Sequence, residues 1–371
     1  MALSKYKLGE LISIVDERNK YGFKSFFGLN IYKEFMPTVA DTTELDEKKY
    51  KVVRKNRFVF SGMQTGRDEC IRISMYMDDT PIIVSPAYTT FEISKTDKVL
   101  PVYFFMLFLS KEKDRLGWFY SDSSIRSNLD WDRFCDIEID LPDLTTQQKY
   151  ADIYLAMVEN QKAYERGLSD LKLTCDGYIE DLRRKLPSEK IGKYIILSEK
   201  RNDIGLNIDN LRGISTAKEF INTKADMHGV SLNSYKVVLP KNIAFVSDTS
   251  RRGEKISLAY NDSKITYLVS SITTVFACDE KYLLAEYLIL FLSREEFDRY
   301  ARFNSWGSAR ETFSWEDMCD VKIPIPDIKV QKAIADIYKV YINRKGINEK
   351  LKSHIKSLCP ILIKGSLEEG R

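Results

Sequence analysis

The sequence predicts an α+β protein in which two tandem mixed α/β domains, related by a pseudo-twofold axis, are separated by two long helices that form an antiparallel coiled coil. Three observations lead to this prediction. One unit of sequence occurs twice within the 371 residues. Each copy begins with short apolar stretches between polar turns, and each copy ends in an apolar stripe of helical period.

The duplication is most evident where an apolar stretch leads into the helical part. Residues 131–143 return as residues 315–327, so that Cys135 corresponds to Cys319, 184 residues later. Shorter matches upstream keep the same order along the chain. They pair residues 16–19 with 199–202, 33–35 with 218–220 and 50–53 with 235–238. Because the offset is about half the chain, the protein is a duplication of one unit.

The two parts of each unit differ in pattern. Short stretches rich in Val, Ile, Phe and Tyr predict a mixed α/β domain over residues 1–142 and another over residues 187–326. Apolar positions at alternating steps of four and three predict a long helix over residues 143–186 and a second over residues 327–365. A Pro-Asp step opens each helix, and Asp is a favourable N-cap.

The helical stripe has the 3.5-residue period of a coiled-coil seam. Gln161 interrupts it in the first helix, and Lys345 stands at the corresponding place in the second, where a polar pair can fix the register. We expect the two seams to pack against each other; the alternative is that each helix packs on its own domain. The predicted seam and partner-docking residues are Tyr154, Met157, Gln161, Tyr164, Leu168, Leu171, Tyr338, Tyr341, Lys345, Leu351 and Ile355.

Composition narrows the function classes only modestly. The 57 basic and 54 acidic residues give a net charge of +3, which is compatible with any partner. The six cysteines stand singly, without the close pairs of zinc sites. No apolar run is long enough to span a bilayer and the N-terminus lacks the pattern of a secretory signal, so we expect a cytoplasmic protein without membrane contact.

Catalytic motifs are not found in the sequence. The only histidines are His228 and His354, and no Gly-rich phosphate loop is present. An Asn-Pro-Pro-aromatic or Asp-Pro-Pro-aromatic tetrapeptide of amino-methyltransferases is also missing. We therefore expect no catalytic residue, no metal site and no cofactor in this chain.

The arrangement of domain, exit strand, helix start and long helix, all repeated, resembles the specificity (S) subunits of type I restriction-modification systems. The motifs that carry the resemblance are the exit segment at residues 323–327, Gln147 and Gln331 near the helix starts, the openings at residues 7–11 and 190–194, and the Gly/Ser-x-x-Arg element at residues 307–310. The first copy departs from the pattern, with Ile139-Asp140-Leu141-Pro142 at the exit and no Gly in the last element.

This resemblance implies a DNA-binding, non-catalytic subunit. Each domain would be a target-recognition domain for one half of a bipartite double-stranded DNA site, and the helices would set the spacing and dock two methyltransferase (modification) subunits. Restriction and translocase subunits would join that core. S-adenosylmethionine, ATP and magnesium are then expected in the partner subunits.

We expect the DNA contacts in polar loops that interrupt the apolar stretches, although a solvated turn is the alternative for any one loop. Arg and Gln suit bidentate contacts with guanine and adenine, whereas Ser and Thr mostly contact phosphates. The candidates are Ser61, Gln64, Thr65, Arg67 and Arg126 in the first domain, and Ser247, Thr249, Ser250, Arg251, Arg252 and Arg310 in the second.

Two other functions stay open from the sequence. A coiled-coil adaptor that binds protein and not DNA would tolerate changes in the loops after Phe60 and Phe245 without loss of DNA affinity. An autonomous DNA-modifying enzyme would act on DNA without any partner subunit.

Overall fold

The computed structural model describes residues 3–39, 41–42, 45–122, 124–223, 229–249, 255–307 and 311–371. The chain forms two compact units. Unit 1 comprises Met1–Tyr164 and Ile347–Arg371, and unit 2 comprises Glu165–Gly346. Each unit therefore contains one α/β domain together with one half of each long helix.

Unit 1 starts with short strands and ends its domain with three helices and a last strand. The elements are β1 Ser4–Lys7, α1 Leu8–Leu11, β2 Ile12–Ile14, β3 Phe26–Leu29, β4 Phe35–Pro37, a 3₁₀ turn Glu47–Lys49, β5 Lys51–Val53, β6 Phe58–Ser61, α2 Thr65–Asp68, β7 Arg72–Met75, β8 Ile82–Val84, β9 Thr89–Ile93, α3 Pro101–Leu107, α4 Lys111–Tyr120, α5 Trp131–Cys135 and β10 Glu138–Leu141. The first long helix, α6, follows at Leu144–Lys185.

Two four-stranded sheets and one strand pair organise this domain. The sheets have the orders β2-β9-β6-β7 and β4-β3-β8-β5, and among the strands described in this domain only β3 and β8 pair in parallel. β1 pairs antiparallel with β10, so that Tyr6 lies opposite Ile139. The start of the domain is thereby joined to its exit, directly ahead of α6.

Unit 2 repeats the order of the strands and of the three helices that follow them. Its elements are β11 Ser188–Lys190, a 3₁₀ turn Ile191–Lys193, β12 Ile195–Ser198, a 3₁₀ turn Ile208–Asn210, β13 Arg212–Ile214, β14 Phe220–Asn222, β15 Lys236–Val238, β16 Ile243–Val246, β17 Leu258–Tyr260, β18 Tyr267–Val269, β19 Thr273–Cys278, α7 Ala285–Leu292, α8 Glu295–Phe303, α9 Trp315–Cys319, β20 Lys322–Pro324 and the second long helix, α10 Ile328–Glu369.

The sheet orders also correspond, with β12-β19-β16-β17 and the exit pair β11-β20. The other sheet is divided into β13-β14 and β15-β18. A single parallel bridge between Leu211 and Leu268 stands where unit 1 has the β3-β8 pairing.

Each hydrophobic core is built around a buried helix. The two longest apolar runs of the sequence, residues 99–109 and 282–292, contain α3 and α7, in which Tyr103 and Tyr287 are fully buried. The long helices complete these cores. In unit 1, Tyr154 of α6 and Ile363 of α10 belong to the same buried cluster as α3.

The two long helices pack antiparallel. In unit 1, Lys149 Nζ lies 2.8 Å from Glu369 Oε2, and Gln161 Nε2 lies 3.1 Å from Asn348 Oδ1. In unit 2, Ile179 of α6 and Ile334 of α10 lie in one buried cluster. As the residue numbers rise along α6, those of the contacting residues in α10 fall, so the helices run antiparallel. The predicted fold class, two mixed α/β domains with an antiparallel helix pair, is confirmed.

None of the helices in the described ranges is both long and apolar enough to cross a membrane. Within the same ranges, no three His, Cys, Asp or Glu side chains are grouped as metal ligands would be.

Candidate nucleic-acid interface

In the first domain, the two predicted DNA-binding loops lie side by side. The N–H of Leu129 donates to the carbonyl of Gly62 at 2.8 Å, and the N–H of Gly66 donates to the carbonyl of Ser127 at 2.9 Å. The backbone N–H of Gln64 donates to Asn128 Oδ1 at 3.1 Å. The loop after β6 and the loop after α4 therefore form one continuous surface.

The second domain brings its two loops together in the same way. The N–H of Phe313 donates to the carbonyl of Ser247 at 2.8 Å, and the N–H of Thr249 donates to the carbonyl of Glu311 at 3.0 Å. Trp306 and Thr312 exchange backbone hydrogen bonds across the second loop. The candidates Ser250, Arg251, Arg252 and Arg310 lie outside the described residues.

Close backbone approach fixes the shape of the first loop. A Cβ added to Gly62 would lie 1.9 Å from the carbonyl oxygen of Leu129, and one added to Gly66 would lie 2.5 Å from Ser127 Cβ. Gln64 and Ser127 adopt left-handed φ values of 59° and 46°. Only glycine fits the two close approaches, so the sequence of this loop is constrained by its own packing.

The candidates of the first domain divide into exposed and buried side chains. Arg67 and Arg126 are exposed, and Gln64 is half-buried and accepts from Arg67 Nη2 at 2.7 Å. Ser61 and Thr65 are buried, and Thr65 Oγ1 donates to the carbonyl of Gly62 at 3.0 Å. Arg67 and Arg126 are open to solvent, and the Arg67 guanidinium is bonded to Gln64 and Asp68, whereas Thr65 stabilises the loop from inside.

Neither of the two described candidates of the second domain, Ser247 and Thr249, is exposed. Thr249 corresponds to Thr65, is also buried, and donates from Oγ1 to the carbonyl of Glu311 at 3.1 Å. Ser247 is half-buried, with its Oγ 3.5 Å from Thr274 Oγ1.

Sequence reasoning missed the side chains that hold the second loop of the first domain. Asp122 accepts hydrogen bonds from the hydroxyl of Ser124 at 2.6 Å and from the N–H of Asn128 at 3.0 Å. These donors lower the pKa of the Asp122 carboxyl, because they stabilise its charged form. An Asp followed by Ser two positions later is a typical Asx-turn pattern, which could have identified this role.

Each domain has a buried ion pair next to its paired loops. Lys33 Nζ lies 2.6 Å from Asp114 Oδ1, which also accepts from the N–H of Ile71 at 3.0 Å. In the second domain Lys218 Nζ lies 2.8 Å from Asp298 Oδ1, and the N–H of Ile256 donates to the same carboxylate at 3.2 Å. Both lysines have left-handed φ values, 65° and 66°.

In the first domain the ion pair connects the β3-β4 turn to α4 and to Ile71, which follows the first loop. In the second domain it connects the β13-β14 turn to α8 and to Ile256. The sequence match between residues 33–35 and 218–220 therefore reflects a buried ion pair that stabilises each domain.

Gln147 and Gln331 connect each long helix to its own domain. Gln147 is fully buried; its Oε1 accepts from the N–H of Leu100 at 3.0 Å, and its Nε2 donates to the carbonyls of Lys98 and Pro142 at 2.9 and 2.8 Å. Gln331 makes the same three bonds, to Leu284 and to the carbonyls of Tyr282 and Pro326. The helix start and the domain are thereby held in one fixed arrangement.

Most of the predicted seam residues are turned inward. Tyr154, Gln161 and Leu168 are buried, and the others in the set are half-buried, except for Lys345. Lys345 is exposed, and Asn348, which is buried, faces Gln161 instead. A polar pair within the seam is therefore present, but its second member is Asn348 and not Lys345, since a neutral amide satisfies Gln161 without burying a charge.

The comparisons with known proteins agree with this architecture. Residues 191–357 match the family model described as type I restriction modification DNA specificity domain. No curated protein matches the chain significantly.

Two solved structures are similar to this chain over its full length. The S subunit of a type I restriction-modification system from M. genitalium is 10% identical, with a TM-score of 0.61, and the alignment covers 100% of this chain and 96% of that one. The HsdS subunit from Thermoanaerobacter tengcongensis is 13% identical, with a TM-score of 0.37, covering 100% and 97%. The second domain and the first part of the following helix are therefore similar to the type I restriction modification DNA specificity domain, and the whole chain has a fold similar to that of the M. genitalium S subunit.

Proposed function

We propose that each of the two domains recognises one half of a bipartite double-stranded DNA target. The observation that carries this proposal is the duplicated interface: the same two loops are hydrogen-bonded together in each domain, on the same scaffold. Arg67 and Arg126 recur in the sequence as Arg251 and Arg310, but other loop positions differ between the copies, since Gln64 corresponds to Asp248 and Asp122 corresponds to Trp306. Two different surfaces on one scaffold suit the recognition of two different half-sites.

The long helices, in this proposal, set the distance between the half-sites and dock two modification subunits. Each helix has 42 residues, which corresponds to about 60 Å of α-helix. One turn of DNA is about 34 Å, so helices of this length suit half-sites separated by more than one turn.

Catalysis is assigned to the partner subunits in this proposal. The modification subunits supply S-adenosylmethionine and methylation, and restriction and translocase subunits supply ATP- and magnesium-dependent steps. The support within this chain is its sequence, which has two histidines and no nucleotide-binding or methyltransferase motif.

The test is a half-site selection with the complex reconstituted from this chain and its modification subunits. Arg67→Ala should relax base preference in one half-site about ten- to a hundredfold, the range of one bidentate base contact, and leave the other half-site unchanged. Arg251→Ala should do the converse.

Lys95→Ala is the matched control, since Lys95 is exposed and follows β9 at the opposite end of the sheet that carries the first loop. An unmodified complex that selects one continuous site would contradict the proposed function. If Arg67→Ala relaxed the base preference in both half-sites, the assignment of one domain to each half-site would be contradicted.

A further inference from the structure

Two phenylalanine side chains, one in each domain, are exposed to solvent at corresponding positions. Of the aromatic side chains in the described ranges, the three most exposed are Phe119, Phe303 and Trp306, at 79%, 78% and 69%. Phe119 and Phe303 are 184 residues apart, which is the offset of the duplication. The copies have diverged around them, yet both retain a phenyl ring with the same exposure.

Both rings lie at the edge of the paired loops. Phe119 is in the last turn of α4 and Phe303 ends α8. The turn after each helix is built alike, since Ser121 Oγ donates to the carbonyl of Gly117 at 2.8 Å and Ser305 Oγ donates to that of Ala301 at 2.6 Å. Each phenylalanine is therefore positioned by the same local geometry, directly ahead of the second loop.

The helix under each ring is firmly fixed. A Cβ added to Gly117 would lie 2.3 Å from Ile71 Cγ1, so α4 is in close contact with the residue that follows the first loop. The buried pairs of Lys33 with Asp114 and of Lys218 with Asp298 connect the same helices to the neighbouring turns. The helix that carries each phenylalanine is therefore held by contacts with its own domain.

An exposed phenyl ring forgoes the favourable free energy that its burial would contribute. A single exposed apolar residue needs no explanation, but a matched pair beside two proposed DNA-binding surfaces does. Arg126 is exposed in the loop that follows Phe119 along the chain, and Arg67 is exposed in the loop that is hydrogen-bonded to it, which suits a polyanionic partner. Proteins that deform DNA insert apolar side chains such as Phe between base pairs and kink the duplex.

We propose that Phe119 and Phe303 are wedge residues, each of which inserts between two stacked base pairs of its own half-site and kinks the DNA there. This inference rests on the proposed function and adds to it a mechanism: each half-site is selected by how easily it unstacks as well as by base contacts. Because the two wedges are matched, the kinks occur in pairs, one in each half-site.

The experiment uses the reconstituted complex and its selected duplex, with 2-aminopurine placed at successive positions through both half-sites. Fluorescence should rise at one step in each half-site. Phe119→Ala should abolish the rise in one half-site only and weaken binding about tenfold, and Phe303→Ala should act on the other. Phe119→Leu should retain most of the signal, because a bulky apolar side chain still separates the bases.

Tyr21→Ala and Tyr282→Ala are the controls, since both tyrosines are more than half exposed and lie outside the paired loops. Energy transfer between dyes at the duplex ends should report a smaller bend with each Phe→Ala variant and an unchanged bend with the controls. Thermal unfolding of each variant chain verifies that it is folded.

Unstacking that persists in Phe119→Ala overturns the wedge, because it then arises from a base held by a modification subunit. Loss of modification subunits from the Phe119→Ala complex also overturns it, since the ring would then contact protein. In both cases the unmodified complex would still select two half-sites, so the proposed function would stand; it fails only if that selection is absent.

Discussion

At the scale of single residues, most side chains that recur in both copies maintain the scaffold. Asn19 closes a turn by donating to the carbonyl of Phe23 at 2.8 Å and accepting from its N–H at 3.1 Å. Asn202 makes the same two bonds with Leu206. The recurrence of residues 16–19 as 199–202 therefore reflects folding, and the differences between the copies are the better guide to specificity.

Glu17 provides a test of this scaffold. It accepts from Arg54 Nη2 at 2.7 Å and from Arg57 Nη1 at 2.8 Å, and Arg57 is itself buried. These hydrogen bonds, that of Arg54 first, lower the pKa of Glu17 to about 2. Glu17→Gln should decrease the free energy of unfolding by roughly 1–2 kcal/mol at pH 7, allowing for solvent screening.

The pH dependence follows from the direction of the shift. A carboxyl with a folded-state pKa below its unfolded value of about 4.3 contributes its full stability above that value and loses it as pH falls toward 2. Urea unfolding from pH 7 to 3.5 should show the difference between Glu17→Gln and the unmodified protein narrowing below about pH 5. The control is Glu112→Gln, at an exposed pair with Arg115; a constant difference over this range would show that the carboxylate is not responsible.

The candidate site could be predicted from the sequence only in part. The loops were identifiable as polar interruptions between apolar strands, but the matched hydroxyls of Thr65 and Thr249 are buried and bond to backbone carbonyls. A hydroxyl needed for loop packing recurs for the same reason as one needed for a ligand. Sequence alone cannot separate the two, because burial depends on contacts between segments about 60 residues apart.

At the scale of elements, the heptad pattern predicted the seam well over its first turns and less well toward its ends. Further steps of four and three lead from Leu171 through Cys175 to Tyr178, and a step of three leads from Ile355 to Leu358. Both Tyr178 and Leu358 are exposed, and the next residues, Ile179 and Cys359, are buried in their place. Both shifts are one residue toward the C-terminus. An α-helix with 3.6 residues per turn drifts about 20° per heptad from a 3.5-residue repeat, so the inward face moves to the next residue after a few heptads.

The hydrogen bonds of Gln147, which connect α6 to the first domain, can be tested by measuring the free energy of unfolding. Gln147→Leu should leave the N–H of Leu100 and two carbonyls without their partner, at about 1–3 kcal/mol for each buried group. We expect the free energy of unfolding to decrease by about 3 kcal/mol or more. Chemical denaturation followed by circular dichroism measures the change.

Gln148→Leu is the matched control, one position along the same helix. Gln148 is exposed and bonds only to Asp152 within α6, so this change should stay within about 0.5 kcal/mol. Equal effects of the two substitutions would mean that the loss arises from helix propensity and not from the buried amide.

At the scale of the whole molecule, the first domain depends on sequence from a distant part of the chain. The core of unit 1 includes Cys359 and Ile363, and Ser366 Oγ lies 2.7 Å from the hydroxyl of Tyr103. The duplication indicated two helices with matching seams, yet it did not show that the end of the chain completes the first core. This depends on contacts between residues more than 250 positions apart in the sequence, such as Tyr103 and Ser366.

The same arrangement defines how the spacing between half-sites can be altered. Both helices are continuous across the division between the compact units, at Tyr164 in α6 and at Gly346 in α10. Seven residues inserted after each of these positions keep the heptad register and add about 10 Å of helix. At about 3.4 Å for each base pair, the preferred gap in the DNA target should lengthen by about three base pairs.

A binding selection with randomised gap lengths measures this change in the reconstituted complex. The base preferences of the two half-sites should remain as they were, since neither loop pair is altered. Insertion into α6 alone leaves the antiparallel partner too short, so it should weaken assembly and not produce a clean new spacing. If the double insertion folds, binds DNA and still prefers the original gap, the helices do not set the spacing, and another part of the complex does.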